Sequence, residues 1–200
     1  MFLAVESSTK FLSIALGDEK KVWDEIILPP SEMTHSEKLL PAIQELLQKH
    51  HIHLPQLNGI FFSRGPGAYT SLRVGLSTCL GLALPSGLFL YPVSSLKAKC
   101  MGCEKDGLVV SVLRAGREKF YAGAWNKKGQ QLECVFPEST FVPAVLEEKC
   151  KALGEEFFLL EPDLFPKASS QLLLHYNEAI LPLSPTQATL DYLQPPDFGK

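Results

Sequence analysis

The chain has 200 residues and a mass of 22.1 kDa, of which 46% are hydrophobic and 20% are charged. This composition excludes an intrinsically disordered chain, and the length suits one domain or two small ones. The net charge of −3 argues against a protein that grips nucleic acid through a broad basic surface.

The start of the chain and its cysteines indicate the compartment. Residues 1–8 lack the basic stretch and cleavage site of a secretory signal, and no apolar run approaches the roughly 20 residues of a membrane helix. The cysteines number five, which is odd, and they suggest no disulfide framework. We therefore expect a cytoplasmic protein that makes no contact with a membrane.

The first half of the chain predicts three strands, then a helix, a strand and a second helix. Alternating apolar runs between turn residues give the strands, and apolar residues at helical spacing give the helices. Ser36 is the expected N-cap of the first helix. The predicted elements are strands at 2–6, 11–16 and 21–28, a helix at 36–49, a strand at 59–63, a helix at 68–84, a strand at 88–93 and a short helix at 95–102.

The second half appears as a repeat of this order. Its predicted elements are strands at 107–114, 118–126 and 130–136, a helix at 143–153, a strand at 157–160 and a helix at 168–179. The βββαβα unit is typical of ribonuclease H-like domains, and two in tandem describe the actin-like ATPase (ASKHA) fold of the α/β class. We predict an N-terminal subdomain at 1–104 and a C-terminal subdomain at 105–200 that ends in a proline-rich tail.

The loop between the strand at 59–63 and the following helix is the most informative segment. Glycine permits positive φ and close backbone approach, proline stiffens the loop, and N–H groups at the helix start could hold an anion. The spacing matches neither a Walker A loop nor a dinucleotide fingerprint, so a tight turn with a helix cap is the alternative. The candidate anion-site residues are Arg64, Gly65, Pro66, Gly67 and Thr70.

The first hairpin is a second candidate site, because actin-like ATPases hold phosphate or metal there. Its residues are Glu6, Ser7, Ser8 and Thr9, and a plain polar turn is the alternative. The second half offers no match: Arg114 opens its hairpin where a metal-binding acid would be wanted, and residues 161–166, which follow the strand at 157–160, contain no glycine. We therefore interpret the first hairpin as a vestigial phosphate site and expect no ATP hydrolysis.

The sequence gives little support for a metal site, a nucleophilic active site or an RNA-binding surface. The lone pair Cys100 and Cys103 and the group His50, His51 and His53 lack further metal ligands nearby in sequence. No nucleophile is paired with a recognisable base, and the basic residues form no single block that would bind RNA. We expect no catalytic residue, no metal and no cofactor in this chain.

Two helices are candidates for docking another subunit. Ser71, Gly75 and Cys79 lie four residues apart, and small residues on one helix face let another backbone approach closely. Together with the apolar stripe at 36–49, these helices offer more apolar surface than one small sheet needs. The alternative is that both stripes face their own sheet.

Several segments, taken together, resemble the TsaB (YeaZ) family, a bacterial subunit of the machinery that makes N6-threonylcarbamoyladenosine in tRNA. The matching segments are Leu3–Thr9, His35–Pro41, Arg64–Leu76 and, more weakly, Arg114–Tyr121. The catalytic relative, TsaD, carries two metal-binding histidines after the strand that follows its glycine-rich loop. Here Ser95 and Lys99 occupy those positions, and a hydroxyl and an ammonium cannot replace two imidazoles on a transition metal.

The resemblance implies a noncatalytic subunit that pairs with a TsaD-like catalytic subunit and supports threonylcarbamoyl transfer to the tRNA adenosine next to the anticodon. It also implies that a TsaE-like ATPase joins the pair and that tRNA is met only through the complex. The implied interface residues are Leu39, Ile43, Leu46, Ser71, Val74, Gly75 and Thr78. The alternatives are a small-molecule kinase or ATPase of the same fold, a homodimeric structural protein built on the same helices, and, with no supporting residues, a peptidase.

Overall fold

A computed structural model describes residues 1–18, 20–154, 156–175 and 180–193 of the chain. Its strands and helices are, in chain order, β1 (Phe2–Glu6), β2 (Leu12–Gly17), β3 (Val22–Leu28), α1 (His35–Lys49), β4 (Gly59–Gly65), α2 (Tyr69–Ser86), β5 (Phe89–Ser94), α3 (Ser95–Met101), β6 (Gly107–Arg114), β7 (Phe120–Lys128), β8 (Gln131–Phe141), α4 (Pro143–Ala152), β9 (Phe157–Leu160) and α5 (Ala168–His175). Every predicted element is present, so the sequence patterns are confirmed. Residues 176–179 of the predicted last helix lie outside the described residues.

The two sheets share one topology. The first has the strand order β3-β2-β1-β4-β5, in which the first three strands are antiparallel and β4 and β5 run parallel to β1. The second has the order β8-β7-β6-β9, with three antiparallel strands and β9 parallel to β6. The predicted α/β fold of two ribonuclease H-like halves, the actin-like (ASKHA) arrangement, is confirmed.

The limits of some elements differ from the prediction. Helix α1 begins one residue before Ser36, because Thr34 is its N-cap and the Thr34 N–H donates to the Glu37 carboxylate at 2.6 Å. Strand β8 continues to Phe141 rather than ending at Phe136, and two register shifts in its pairing with β7 accommodate the extra length.

The core forms where helices cover the sheets, and two helices cover the sheet of the other half. Helices α1 and α2 pack on one face of the first sheet, whereas α5 from the second half packs on its opposite face. Helix α3 packs on the second sheet, and α4 covers the other face of that sheet. The subdomain boundary at residues 104 and 105 stays a prediction.

The described part of the tail follows the edge of the first sheet. Leu183 pairs with Leu90 of β5 through two backbone hydrogen bonds of 2.7 and 2.9 Å. Farther on, the Asp191 N–H donates to the Arg64 carbonyl at 2.8 Å. Within the described ranges, no helix has the length and the apolar character needed to span a bilayer.

Candidate functional site

A cleft of about 1140 Å³ opens between the two halves of the molecule. It is lined by the segments that follow β1, β4, β6 and β9, together with Tyr192 of the tail. These are the carboxyl ends of parallel strands, where open α/β sheets place their ligands. The cleft therefore brings together segments more than 100 residues apart in the sequence.

The first hairpin contributes less to the cleft than the sequence indicates. Glu6 is buried, and its carboxylate accepts hydrogen bonds from the Ser8 N–H at 2.8 Å and from Gln171 Nε2 at 2.9 Å. Burial raises the pKa of the Glu6 carboxyl, although these hydrogen bonds oppose that shift. The Ser7 N–H donates to Ser63 Oγ at 3.0 Å. Of the four hairpin residues predicted as a phosphate site, only Ser8 and Thr9 line the cleft.

The glycine-rich loop closes against the first hairpin. The Ala68 N–H donates to the Ser8 carbonyl at 2.7 Å, and a Cβ at Gly67 would overlap Ser8. The predicted anion-site residues Gly67 and Thr70 therefore line the cleft beside Ser8. Ser8 itself is 1% exposed, and its side chain is one of the groups that oppose the rise in the pKa of Glu6.

The other predicted anion-site residues belong to the contact with the tail. Gly65 has φ +109°, a conformation that favours glycine, and a Cβ there would lie 2.8 Å from the Asp191 carbonyl oxygen. Arg64 Nε lies 3.0 Å from the Asp191 carboxylate. Arg64, Gly65 and Pro66 are not among the residues that line the cleft.

The second half supplies the opposite wall. The Arg114 guanidinium lies 3.3 Å from the Asp163 carboxylate and lowers the pKa of that acid. Next to this pair, the rings of Phe11 and Phe165 stack across the cleft. This wall presents an ion pair and apolar rings. Neither group provides a good binding site for a metal-bound nucleotide.

Ser95 and Lys99 are both buried. The Lys99 side chain is 3% exposed, and its ammonium donates to the carbonyls of Val112 and Glu161, each at 2.6 Å. Burial lowers the pKa of Lys99 to about 7. Lys99 thus fastens α3 to the ends of β6 and β9. The sequence analysis did not predict this structural role of Lys99. A lysine flanked by Ala98 and Cys100 in α3 was the feature that could have indicated it.

His50 and Cys100, from the two groups considered as metal ligands, have structural surroundings. His50 Nε2 lies 2.8 Å from the Asp24 carboxylate, and Lys49 reaches the same oxygen at 2.7 Å. These bonds lower the pKa of Asp24 to about 2, and burial raises the pKa of Cys100 to about 12. In the part of the chain that the structure describes, no three histidine, cysteine or acidic side chains cluster as metal ligands.

The predicted docking residues of α1 belong to the core. Leu39, Ile43 and Leu46 are no more than 1% exposed and pack against the first sheet. Gly75 of α2 is also buried, and a Cβ there would overlap Ser7 Oγ. The assignment of these four residues as direct partner contacts is wrong, because the apolar stripe of α1 faces its own sheet and Gly75 of α2 faces the first hairpin.

The solvent-facing side of α2 presents other residues. Arg73, Ser77, Gly81 and Leu84 recur at helical spacing and are exposed, Leu84 by 59%. We call these four residues the α2 stripe. The predicted contacts Ser71, Val74 and Thr78 are half-buried beside it. A shallow groove of about 410 Å³ runs here, and its lining shares Tyr69 and Thr70 with the cleft.

Comparisons with known proteins agree on one group of relatives. Residues 28–154 match the family model described as TsaD: tRNA N6-adenosine threonylcarbamoyltransferase. The tRNA threonylcarbamoyladenosine biosynthesis protein TsaB of Escherichia coli is 28% identical over 197 residues, which cover 90% of this chain and 80% of the relative. The protein of the same name from Bacillus subtilis is 32% identical over 152 residues, covering 74% and 66%. The solved structure of YeaZ from Pseudomonas aeruginosa superposes with a TM-score of 0.80 at 22% identity, covering 96% of this chain and 99% of that one.

Proposed function

Because the chain belongs to the TsaB (YeaZ) family, as its motifs predicted, we propose that it serves tRNA threonylcarbamoyladenosine biosynthesis as a noncatalytic subunit. It docks on a TsaD-like catalytic subunit and supports transfer of the threonylcarbamoyl group to the N6 atom of a tRNA adenosine. A TsaE-like ATPase joins this pair. One observation supports the noncatalytic role most directly: the charged side chains of the two hairpins are already paired within the chain. The Glu6 carboxylate accepts hydrogen bonds from Ser8 and Gln171, and Arg114 forms an ion pair with Asp163.

The chemistry of the cleft supports this role over that of a kinase or ATPase. An ATPase of this fold needs carboxylates that face the cleft to hold a metal bound to phosphate. Glu6 is held by Ser8 and Gln171, and Asp163 is neutralised by Arg114. Among the described lining residues, this leaves Glu118 as the one other carboxylate. The position of a TsaD metal ligand is taken by Lys99, whose ammonium repels a metal cation and already bonds two carbonyls.

The α2 stripe is the surface that we assign to docking. Its exposed serine, glycine and leucine let a partner helix approach closely, and the stripe leaves Leu84 open to solvent. Leu40 of α1, 42% exposed, adds a second apolar contact on the neighbouring helix. A stable interface of this kind buries roughly 1,200–2,000 Å² in total.

Gly81 provides a sharp test of this assignment. No atom lies within 4 Å of the place that its Cβ would take, so Gly81→Glu leaves the fold of the chain intact. In a docked interface the same carboxylate is buried without a partner, which weakens binding by roughly 100-fold or more. Ala144→Glu on the exposed surface of α4 is the matched control. The measurement is titration calorimetry with the TsaD-like subunit of the same organism.

We expect the wild-type protein and Ala144→Glu to bind the catalytic subunit equally and Gly81→Glu to lose binding while it keeps the wild-type melting temperature. Undiminished binding of Gly81→Glu would show that the α2 stripe is not the docking surface. The alternative is that the same stripe joins two copies of this chain in a homodimer. The solution mass of the free protein distinguishes that homodimer from a monomer.

A further inference from the structure

The cleft gathers basic side chains that the sequence keeps far apart. Lys10 comes from the first hairpin, and Arg114, Arg117 and Lys119 come from the second. The acidic residues of the lining are Glu118 and Asp163, so four cations face two carboxylates in a chain whose net charge is −3. The charge of the cleft is therefore opposite in sign to that of the whole molecule.

Three of these cations are available to a ligand. Arg114 is paired with Asp163, whereas Lys10, Arg117 and Lys119 are exposed and lie within 4 Å of no described carboxylate, although the charge of Lys10 also helps to lower the pKa of Asp163. We call these three residues the basic rim. They sit on both sides of the cleft, since Lys10 belongs to the first half and the other two belong to the second. A ligand that satisfies the basic rim must therefore carry several negative charges.

We propose that the basic rim binds the phosphate backbone of the substrate tRNA, an inference that rests on the proposed function. Aromatic rings also line the cleft, and basic grooves with aromatic walls are typical of sites for unpaired RNA. The rings of Tyr69 and Tyr192 lie 5.1 Å apart, and Tyr192 is 44% exposed.

The position of the cleft explains how RNA reaches it. Tyr69 and Thr70 line both the cleft and the groove along the α2 stripe, so the cleft opens beside the surface assigned to docking. When a catalytic subunit docks on that surface and binds a tRNA, the tRNA backbone can therefore contact the basic rim. An acidic segment of the partner protein would also satisfy the cations, but it would leave the aromatic walls without the bases that stack on them.

The test compares two triple variants of equal charge. The rim variant carries Lys10→Ala, Arg117→Ala and Lys119→Ala. The control variant carries Lys20→Ala, Lys21→Ala and Lys128→Ala, which remove exposed cations at the β2–β3 and β7–β8 turns, at the opposite ends of the two sheets. Each variant is assembled with the TsaD-like subunit, and binding of an unmodified tRNA transcript is measured over a series of salt concentrations.

We expect the complex with the rim variant to bind the transcript roughly tenfold more weakly or worse, and the slope of log affinity against log salt to fall by about 2, since each phosphate contact contributes about 0.7–0.9. The control complex should keep the wild-type affinity and slope. Equal affinity and slope in all three complexes would overturn the inference and leave the proposed function standing.

Two other outcomes also decide the question. If the rim variant alone loses the catalytic subunit, the cleft holds a segment of the partner protein, and the RNA assignment is wrong. If the wild-type protein does not bind the catalytic subunit at all, the proposed function fails, and the inference that rests on it fails as well.

Discussion

The rings of Phe11 and Phe165 stack with their centroids 4.1 Å apart and their planes inclined by 11°. Phe11 ends the first hairpin, and Phe165 lies in the loop after β9. The stack therefore joins the two halves of the molecule across the mouth of the cleft. It fills with apolar rings a region in which an ATPase needs polar ligands for its nucleotide.

Removing one ring of this stack should loosen the junction between the halves. We expect Phe165→Ala to lower the free energy of unfolding by about 1–2 kcal/mol, since the residue is partly buried and aromatic pairs contribute about 0.5–1.5 kcal/mol beyond buried area. Urea denaturation of Phe165→Ala, Phe11→Ala and the double variant measures the coupling. Additive losses would mean that the stack contributes nothing of its own.

The Lys99 ammonium should make stability depend on pH. Its pKa is about 7 in the folded chain and 10.5 in the unfolded chain, so the unfolded state binds more protons between these values. The free energy of unfolding should therefore rise from pH 7 to pH 9, by at most about 1.4 kcal/mol per pH unit. Lys99→Met should abolish this rise, whereas Lys167→Met at an exposed site should keep it.

The window for this measurement ends near pH 9. Burial raises the pKa of both Cys79 and Cys100 to about 12, so their thiols ionise in the unfolded chain first and destabilise the fold above that pH. Urea titrations at several pH values within the window give the slope. The same slope in Lys99→Met as in the wild-type protein would contradict the role assigned to Lys99.

Two glycines of α2 should respond in opposite ways to alanine. A Cβ at Gly75 would overlap Ser7 Oγ, so Gly75→Ala must shift the buried Ser7 side chain and should cost about 1–3 kcal/mol. Gly81 has open space around it, and Gly81→Ala should stabilise the helix by up to about 1 kcal/mol. Thermal melting of the two variants provides the comparison. A loss of stability in Gly81→Ala would contradict the open surface seen on α2.

The sequence predicted the elements because their signals are local. Apolar spacing and turn residues located every strand and helix. The glycine-rich loop and the first hairpin were predicted as two separate candidate sites, and parts of both line the cleft. The exchange of α3 and α5 between the halves was not predictable, because it depends on packing between segments distant in sequence. The basic rim was missed for the same reason.

The register of the docking helices was the main error. Leu39, Ile43 and Leu46 have the spacing of an apolar stripe, but spacing does not reveal which stripe faces the helix's own sheet. Glu6 shows the same limit: its type suits a phosphate or metal site, and only the structure shows that Gln171 from α5 occupies its carboxylate.

The most direct measurement is threonylcarbamoyl transfer to an unmodified tRNA transcript, with an activated threonylcarbamoyl donor and ATP in every mixture. The mixtures contain this chain alone, the TsaD-like subunit with the TsaE-like ATPase, or all three proteins together. The proposed function predicts transfer only in the complete mixture and none by this chain alone, with Gly81→Glu failing to restore it. Transfer by this chain alone, or equal transfer when it is left out, would contradict the account.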